Sequence, residues 1–184
     1  MGSAALKARK EEKCSINTVA QLFAQVANSD EFFYALYIRI MTRSPAIQQT
    51  LGVRLLSEMD NLDIRRIKHL AGNVRNFLAQ VVQLKLDGDK KQMEHLCMVT
   101  GSRHAQYAIE RFQPAYWDVF IMAMTEVMEQ DDSKPPILAI YAWQEFLRQV
   151  VSLMRTGYEI SYTARLSRVK KPSERHHTIL PPIQ

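Results

Sequence analysis

Apolar side chains recur every three or four residues along this chain, and that period constrains its fold more than any other feature. Ile67, Leu70, Val74, Phe77, Leu78, Val81 and Val82 trace one face of a long helix. Shorter stripes come from Val19, Leu22, Phe23 and Val26, and from Phe33, Leu36, Tyr37, Ile40 and Met41. No sustained alternation of strand type competes with them. Six glycines and seven prolines in 184 residues leave such helices largely uninterrupted.

The breaks in the pattern set the order of elements. Asn28-Ser29-Asp30 separates the first two stripes and can cap the second. Pro45 opens a short helix to Leu51, and Leu51 to Asn61 has no firm pattern. Asp87-Gly88-Asp89 stops the long helix. A shorter one follows, with Met93, Leu96, Cys97, Thr100 and His104 on one face, then irregular chain around Ala108–Phe112. Two long helices finish the domain. One runs from about Pro114 to Gln130 with Tyr116, Val119, Phe120, Ala123 and Val127. The other follows Pro135-Pro136 with Ile140, Trp143, Phe146, Val150, Leu153 and Met154. Gly157-Tyr158 is expected to end it, because glycine takes the left-handed conformation that closes a helix. After Ser161 the periodicity lapses, and Pro172, Pro181 and Pro182 oppose a helix. The expected layout is a basic extension over 1–14, one all-α domain over 15–160, and a flexible basic tail over 161–184.

The net charge of +5 would suggest an acidic partner if it lay on the folded surface. Instead, residues 1–13 carry four Lys/Arg against two Glu, and residues 161–184 carry five against one, so the body is left at −1. Nucleic acid is therefore not an expected partner. The tails read as solubilising segments, with contact to an anionic membrane as the alternative. Met1-Gly2-Ser3-Ala4-Ala5-Leu6 partly resembles an N-myristoylation signal that would acylate Gly2, but Leu6 stands where Ser or Thr belongs. Cys14 and Cys97 form no disulfide framework or metal spacing, and no apolar stretch is long enough to span a membrane. A cytoplasmic setting is expected.

Of five histidines, His176 and His177 fall in the tail, and His95, beside Glu94 and Leu96, is expected at the surface or partly covered. His104 stands near the end of an apolar stripe, four residues after Thr100. Taken alone, a histidine there is more often a buried hydrogen-bonded residue than a ligand. Its neighbours add information. Gly101-Ser102-Arg103-His104, leading through Phe112-Gln113-Pro114-Ala115-Tyr116-Trp117 into a long helix, resembles the globin run that ends in the haem's proximal histidine. Tyr37-Ile38-Arg39-Ile40-Met41, with Pro45 eight residues after Tyr37, is similar to the globin second helix and the proline that opens the third. Ala142-Trp143 through Met154 and Gly157-Tyr158 resembles the last helix. The resemblance covers roughly residues 17–160, and Tyr37 and the helix connections look most like invertebrate, nematode-type globins.

That resemblance implies a globin fold, about seven or eight helices around a pocket for haem b, with His104 as proximal ligand of the iron. It implies haem contacts from Tyr37, Leu51, Leu70, Val74, Leu78, Thr100 and Phe120. The second ring nitrogen of His104 should donate to a carbonyl or hydroxyl, with Thr100 one turn earlier as the candidate. Two positions depart from the family pattern. Leu70 falls where a histidine or glutamine commonly faces the iron, leaving the Tyr37 hydroxyl as the main polar group there; the alternative is a core tyrosine bonded elsewhere. Leu51 falls where a phenylalanine usually stacks on the haem, which weakens retention. His69 is the competing distal ligand, but it points about 100° from Leu70 on a regular helix, and the shifted register would bring Asn73 against the haem.

The expected function is reversible binding of oxygen or another diatomic gas, for storage, transport or sensing. The alternatives are a two-histidine redox or sensor globin and a globin-fold interaction module without haem. No nucleophilic or paired-carboxylate constellation and no phosphate-binding loop stands out. Enzymatic turnover of nitric oxide or peroxide would need electrons from outside the chain, so an enzyme is not the expectation.

Overall fold

The computed structural model describes residues 15–54, 60–107, 112–130 and 134–169, and its regular structure there is entirely α-helical. Helix α1 covers residues 15–26. It is followed by α2 (Asp30–Arg43), α3 (Pro45–Leu51), α4 (Asn61–Leu86), α5 (Lys90–Tyr107), α6 (Tyr116–Glu129) and α7 (Ile137–Val169). Residues 1–14 of the expected extension and 170–184 of the expected tail, with Gly2, Cys14, His176 and His177, lie outside the described residues, as does most of the stretch expected to be irregular before Pro114.

Local chemistry sets most of these boundaries. Ser29 caps α2 by accepting from the Phe32 amide at 3.1 Å, and Ser44 caps α3 by accepting from Ile47 at 3.3 Å. Gly52, at φ +62°, closes α3 in the left-handed conformation. The stretch without periodicity before α4 hides a reciprocal cap: Asp60 accepts from the Leu62 and Asp63 amides, and the Asp63 carboxylate accepts from Asp60 N at 3.3 Å. Gly88, at φ +73°, makes the turn into α5, whose first turn is capped by Asp89 accepting from Gln92 at 3.0 Å.

The apolar stripes then meet. Helix α2 packs against both α4 and α6, while α5 lies along α7 in the most extensive helix contact among the described residues. Trp143, Phe33, Leu36, Leu78, Met124, Met128 and Leu147 are fully buried in the main core. Phe23 of α1 stacks on Trp143 of α7 with ring centroids 5.9 Å apart. A smaller apolar cluster of Met41, Val53 and Ile67 sits where α2, α3 and α4 converge.

The last helix departs from expectation. It passes through Gly157-Tyr158 and through the boundary expected after residue 160, and ends only at Val169. Gly157 does not act as a left-handed stop; its missing side chain admits another helix. A Cβ on Gly157 would lie 2.0 Å from the Met98 carbonyl oxygen of α5, and one on Gly101 would lie 1.8 Å from the Met154 carbonyl oxygen of α7. The two helices therefore touch backbone to backbone at paired glycines. Gly72 of α4 differs, since a Cβ there meets nothing within 4 Å.

These environments give opposite expectations for one chemical change. Gly157→Ala must push α5 from α7 and should cost about 2–3 kcal/mol, whereas Gly72→Ala should add about 0.5–1 kcal/mol through helix propensity. Urea unfolding midpoints of the two variants check this. An unshifted midpoint for Gly157→Ala would mean the crossing is not tight.

Candidate functional site

His104 is carried by the last turn of α5 and is half-buried, with its ring packed against both Phe112 (centroids 5.0 Å apart) and Trp117 (5.4 Å), which also touch each other at 4.9 Å. Its Nδ1 lies 2.8 Å from the backbone carbonyl of Thr100. A carbonyl only accepts, so this contact places the proton on Nδ1 and leaves the Nε2 lone pair free. Burial holds the imidazole below its ordinary value of 6.5, and the Thr100 bond acts against that without cancelling it. The ring is therefore neutral near pH 7, with one nitrogen oriented and the other available to a metal. The Thr100 hydroxyl is engaged elsewhere, donating to Leu96 O at 2.8 Å. It is the Thr100 main chain that orients the ring.

Tyr37 lies on α2, half-buried, and packs against both the main core and the smaller cluster. Desolvation raises its phenol well above the ordinary tyrosine value, so the hydroxyl stays protonated. Among the described residues that hydroxyl has no hydrogen-bond partner. Leu51 touches the same two clusters at the end of α3. Leu70 and Val74 are half-buried on α4 at helical spacing from buried Ile67. Phe120 is half-buried at the edge of the main core, and Leu78 lies wholly inside it.

His69 sits on the solvent face of α4 with Arg66, Asn73 and Asn76. Its Nε2 accepts from the Asn73 amide nitrogen at 3.2 Å. His95 is exposed. The single free cysteine among the described residues, Cys97, is buried, and burial pushes its thiol up to about 12, which leaves it unreactive.

Several contributors escaped the sequence reading. Arg66 of α4 donates to Gly52 O at 2.8 Å and to Leu51 O at 3.3 Å, tying the end of α3, and with it Leu51, to α4. Arg54 bridges Asp60 and the buried Asp63 at the start of α4. Phe112 and Trp117 wall the imidazole; the aromatic run after His104 signalled them, but only the chain's return against α5 makes them neighbours.

The donor set fits a haem better than a bare ion. Among the described residues no three His, Cys, Asp or Glu side chains gather to hold a metal. One imidazole suffices only for a metal that brings most of its own ligands, as iron in a porphyrin does. The apolar Leu51, Leu70, Val74 and Phe120 suit the rest of such a group.

Comparison with known proteins is consistent with this geometry. Residues 35–154 match the family model described as Globin. No curated protein matches the chain closely enough to count as a relative.

The buried neutral imidazole has a consequence for stability in the haem-free protein. Its value in the fold lies below the 6.5 of the unfolded chain, so between the two the unfolded state binds more protons. Stability should fall as pH drops through 6.5 toward the lowered folded value. His104→Gln removes that titration, so the gap between the two proteins' urea midpoints should be constant above pH 7 and change below 6.5. Parallel pH profiles would show that His104 is not desolvated.

Proposed function

The chain belongs to the globin family, and on that premise we propose that it holds haem b through His104 Nε2 and reversibly binds oxygen or another diatomic gas. Globins typically bind haem and diatomic gases. When bound, the haem supplies the iron at which the gas is held. The observation that carries the reading is the His104 geometry: Nδ1 donates to the Thr100 carbonyl at 2.8 Å, which leaves Nε2 as a lone-pair donor inside the matched segment.

The chain's own groups divide the work. Thr100 fixes the tautomer and rotation of the imidazole. Phe112 and Trp117 shield part of the imidazole from water. Leu51, Leu70, Val74 and Phe120 offer apolar surface to the macrocycle, with Leu78 behind them. Tyr37 is assigned to the opposite side, where its hydroxyl, protonated and without a hydrogen-bond partner among the described residues, can donate to a polar diatomic ligand. Leu70 cannot donate, so Tyr37 is the source of such a bond. His69 lies on the solvent face and is held by Asn73, which supports a single-histidine site over the two-histidine alternative. The likeness to nematode-type globins rests on Tyr37 and the helix connections. The cytoplasmic setting inferred from cysteine usage belongs to the same proposal.

The decisive experiment is the visible spectrum of the purified protein supplemented with haem, oxidised and reduced. A five-coordinate ferrous spectrum is expected, and His104→Ala should abolish stable uptake. A six-coordinate ferrous spectrum without added gas would bring in a second histidine, and absence of stoichiometric uptake would leave only the fold. Tyr37→Phe should speed oxygen release about tenfold, the worth of one hydrogen bond of about 1–1.5 kcal/mol. Stopped-flow dissociation measures it, and an unchanged off-rate would mean the hydroxyl is not directed at the ligand.

A further inference from the structure

The segment expected to be a tail instead reaches the helix that carries His104. Met154, Gly157, Tyr158, Ser161 and Arg165 follow one another at helical spacing on α7, and all five contact α5 or the aromatic wall beside it. Met154 and Gly157 make the backbone crossing with Gly101 and Met98. Tyr158 packs on Phe112 and Trp117, with ring centroids 5.8 Å from each, and Tyr162 stacks on Tyr158 at 5.7 Å. Ser161 Oγ lies 2.6 Å from Ser102 Oγ. Farther along, Arg165 Nη1 donates to Ala105 O at 3.4 Å and to Gln106 O at 3.3 Å.

Those two carbonyls belong to the last turn of α5, and the last four carbonyls of a helix have no amide partner within it. The C-terminal end of a helix carries partial negative charge, and a guanidinium there satisfies the carbonyls and the dipole together. His104 sits in that same turn, immediately before Ala105. If the turn frays, the Thr100 carbonyl and the imidazole lose their fixed relation.

We propose that Arg165, seconded by Ser161, is a positioning residue: it clamps the last turn of α5 and so holds the His104 imidazole where it retains haem. The role in haem retention rests on the function proposed above; the clamp itself does not. In the haem-loaded protein Arg165→Ala should speed haem dissociation about three- to tenfold, and should broaden and shift the ferrous iron–histidine stretching band. Arg165→Lys, which keeps one cationic donor, should recover part of both effects. Arg168→Ala, an exposed charge one turn on, should change neither. In the haem-free protein, amide exchange across residues 104–107 should quicken in Arg165→Ala alone.

Unchanged exchange and unchanged haem dissociation in Arg165→Ala would overturn the proposal. Faster exchange with unaltered dissociation and vibrational band would also overturn it, since the clamp would then not govern the imidazole. If wild-type protein takes up no haem, the proposed function fails, and with it the haem part of this inference; the exchange measurement still decides whether the clamp exists.

Discussion

Backbone contact between α5 and α7 is the constraint on which the rest of this structure depends. Two helices ordinarily stand 8–10 Å apart because side chains intervene. Here Gly101 and Gly157 remove the side chain on each side of the crossing, and each helix presses against a carbonyl of the other near Met154 and Met98. Such an approach leaves little freedom to slide or rotate, because any displacement drives main-chain atoms together. Helix α5 carries His104 in its last turn. Its register is set largely by α7, and the register of α5 in turn decides where the imidazole stands.

Burial then acts on two titratable groups with opposite results. Desolvation disfavours whichever form is charged. It lowers the His104 imidazole and raises the Tyr37 phenol, so both are neutral over the physiological range. One neutral group offers a lone pair and the other a proton donor. Ion pairs surround these groups rather than engaging them: Arg54 with Asp60 and Asp63 at the start of α4, Arg39 and Arg43 with Glu126 between α2 and α6, and Arg155 with Asp118 between α7 and α6.

Much of the architecture was legible in the sequence because helix formation is a local matter. The stripes of α1, α2, α4 and α6, the breaks at Ser29 and at Asp87-Gly88-Asp89, and the proline opening α3 all express interactions within a few residues. The cap at Asp60 was also local, but an Asp-to-Asp pair is a weaker signature than Ser or Thr followed by Glu, and the stretch before it lacks periodicity. His104 and Tyr37 stood out by spacing and by resemblance. That Thr100 would orient the imidazole was legible, since four residues is one helical turn; its carbonyl took the part because the hydroxyl bonds Leu96.

The misreading of Gly157 marks where local inference ends. A glycine after an apolar stripe serves equally as a helix stop or as a gap that admits another helix, and its own neighbours do not distinguish the two. Only the approach of Met98 from α5 decides, and with that decision α7 runs on to Val169 and brings Ser161 and Arg165 onto the end of α5. The sequence by itself determined the helical class, the order of the helices and the residue types that can hold an iron porphyrin, since these follow from periodicity, caps and ligand chemistry. Tertiary structure alone decided which backbones touch, where α7 ends and what braces the imidazole, because those depend on contacts between residues some sixty positions apart.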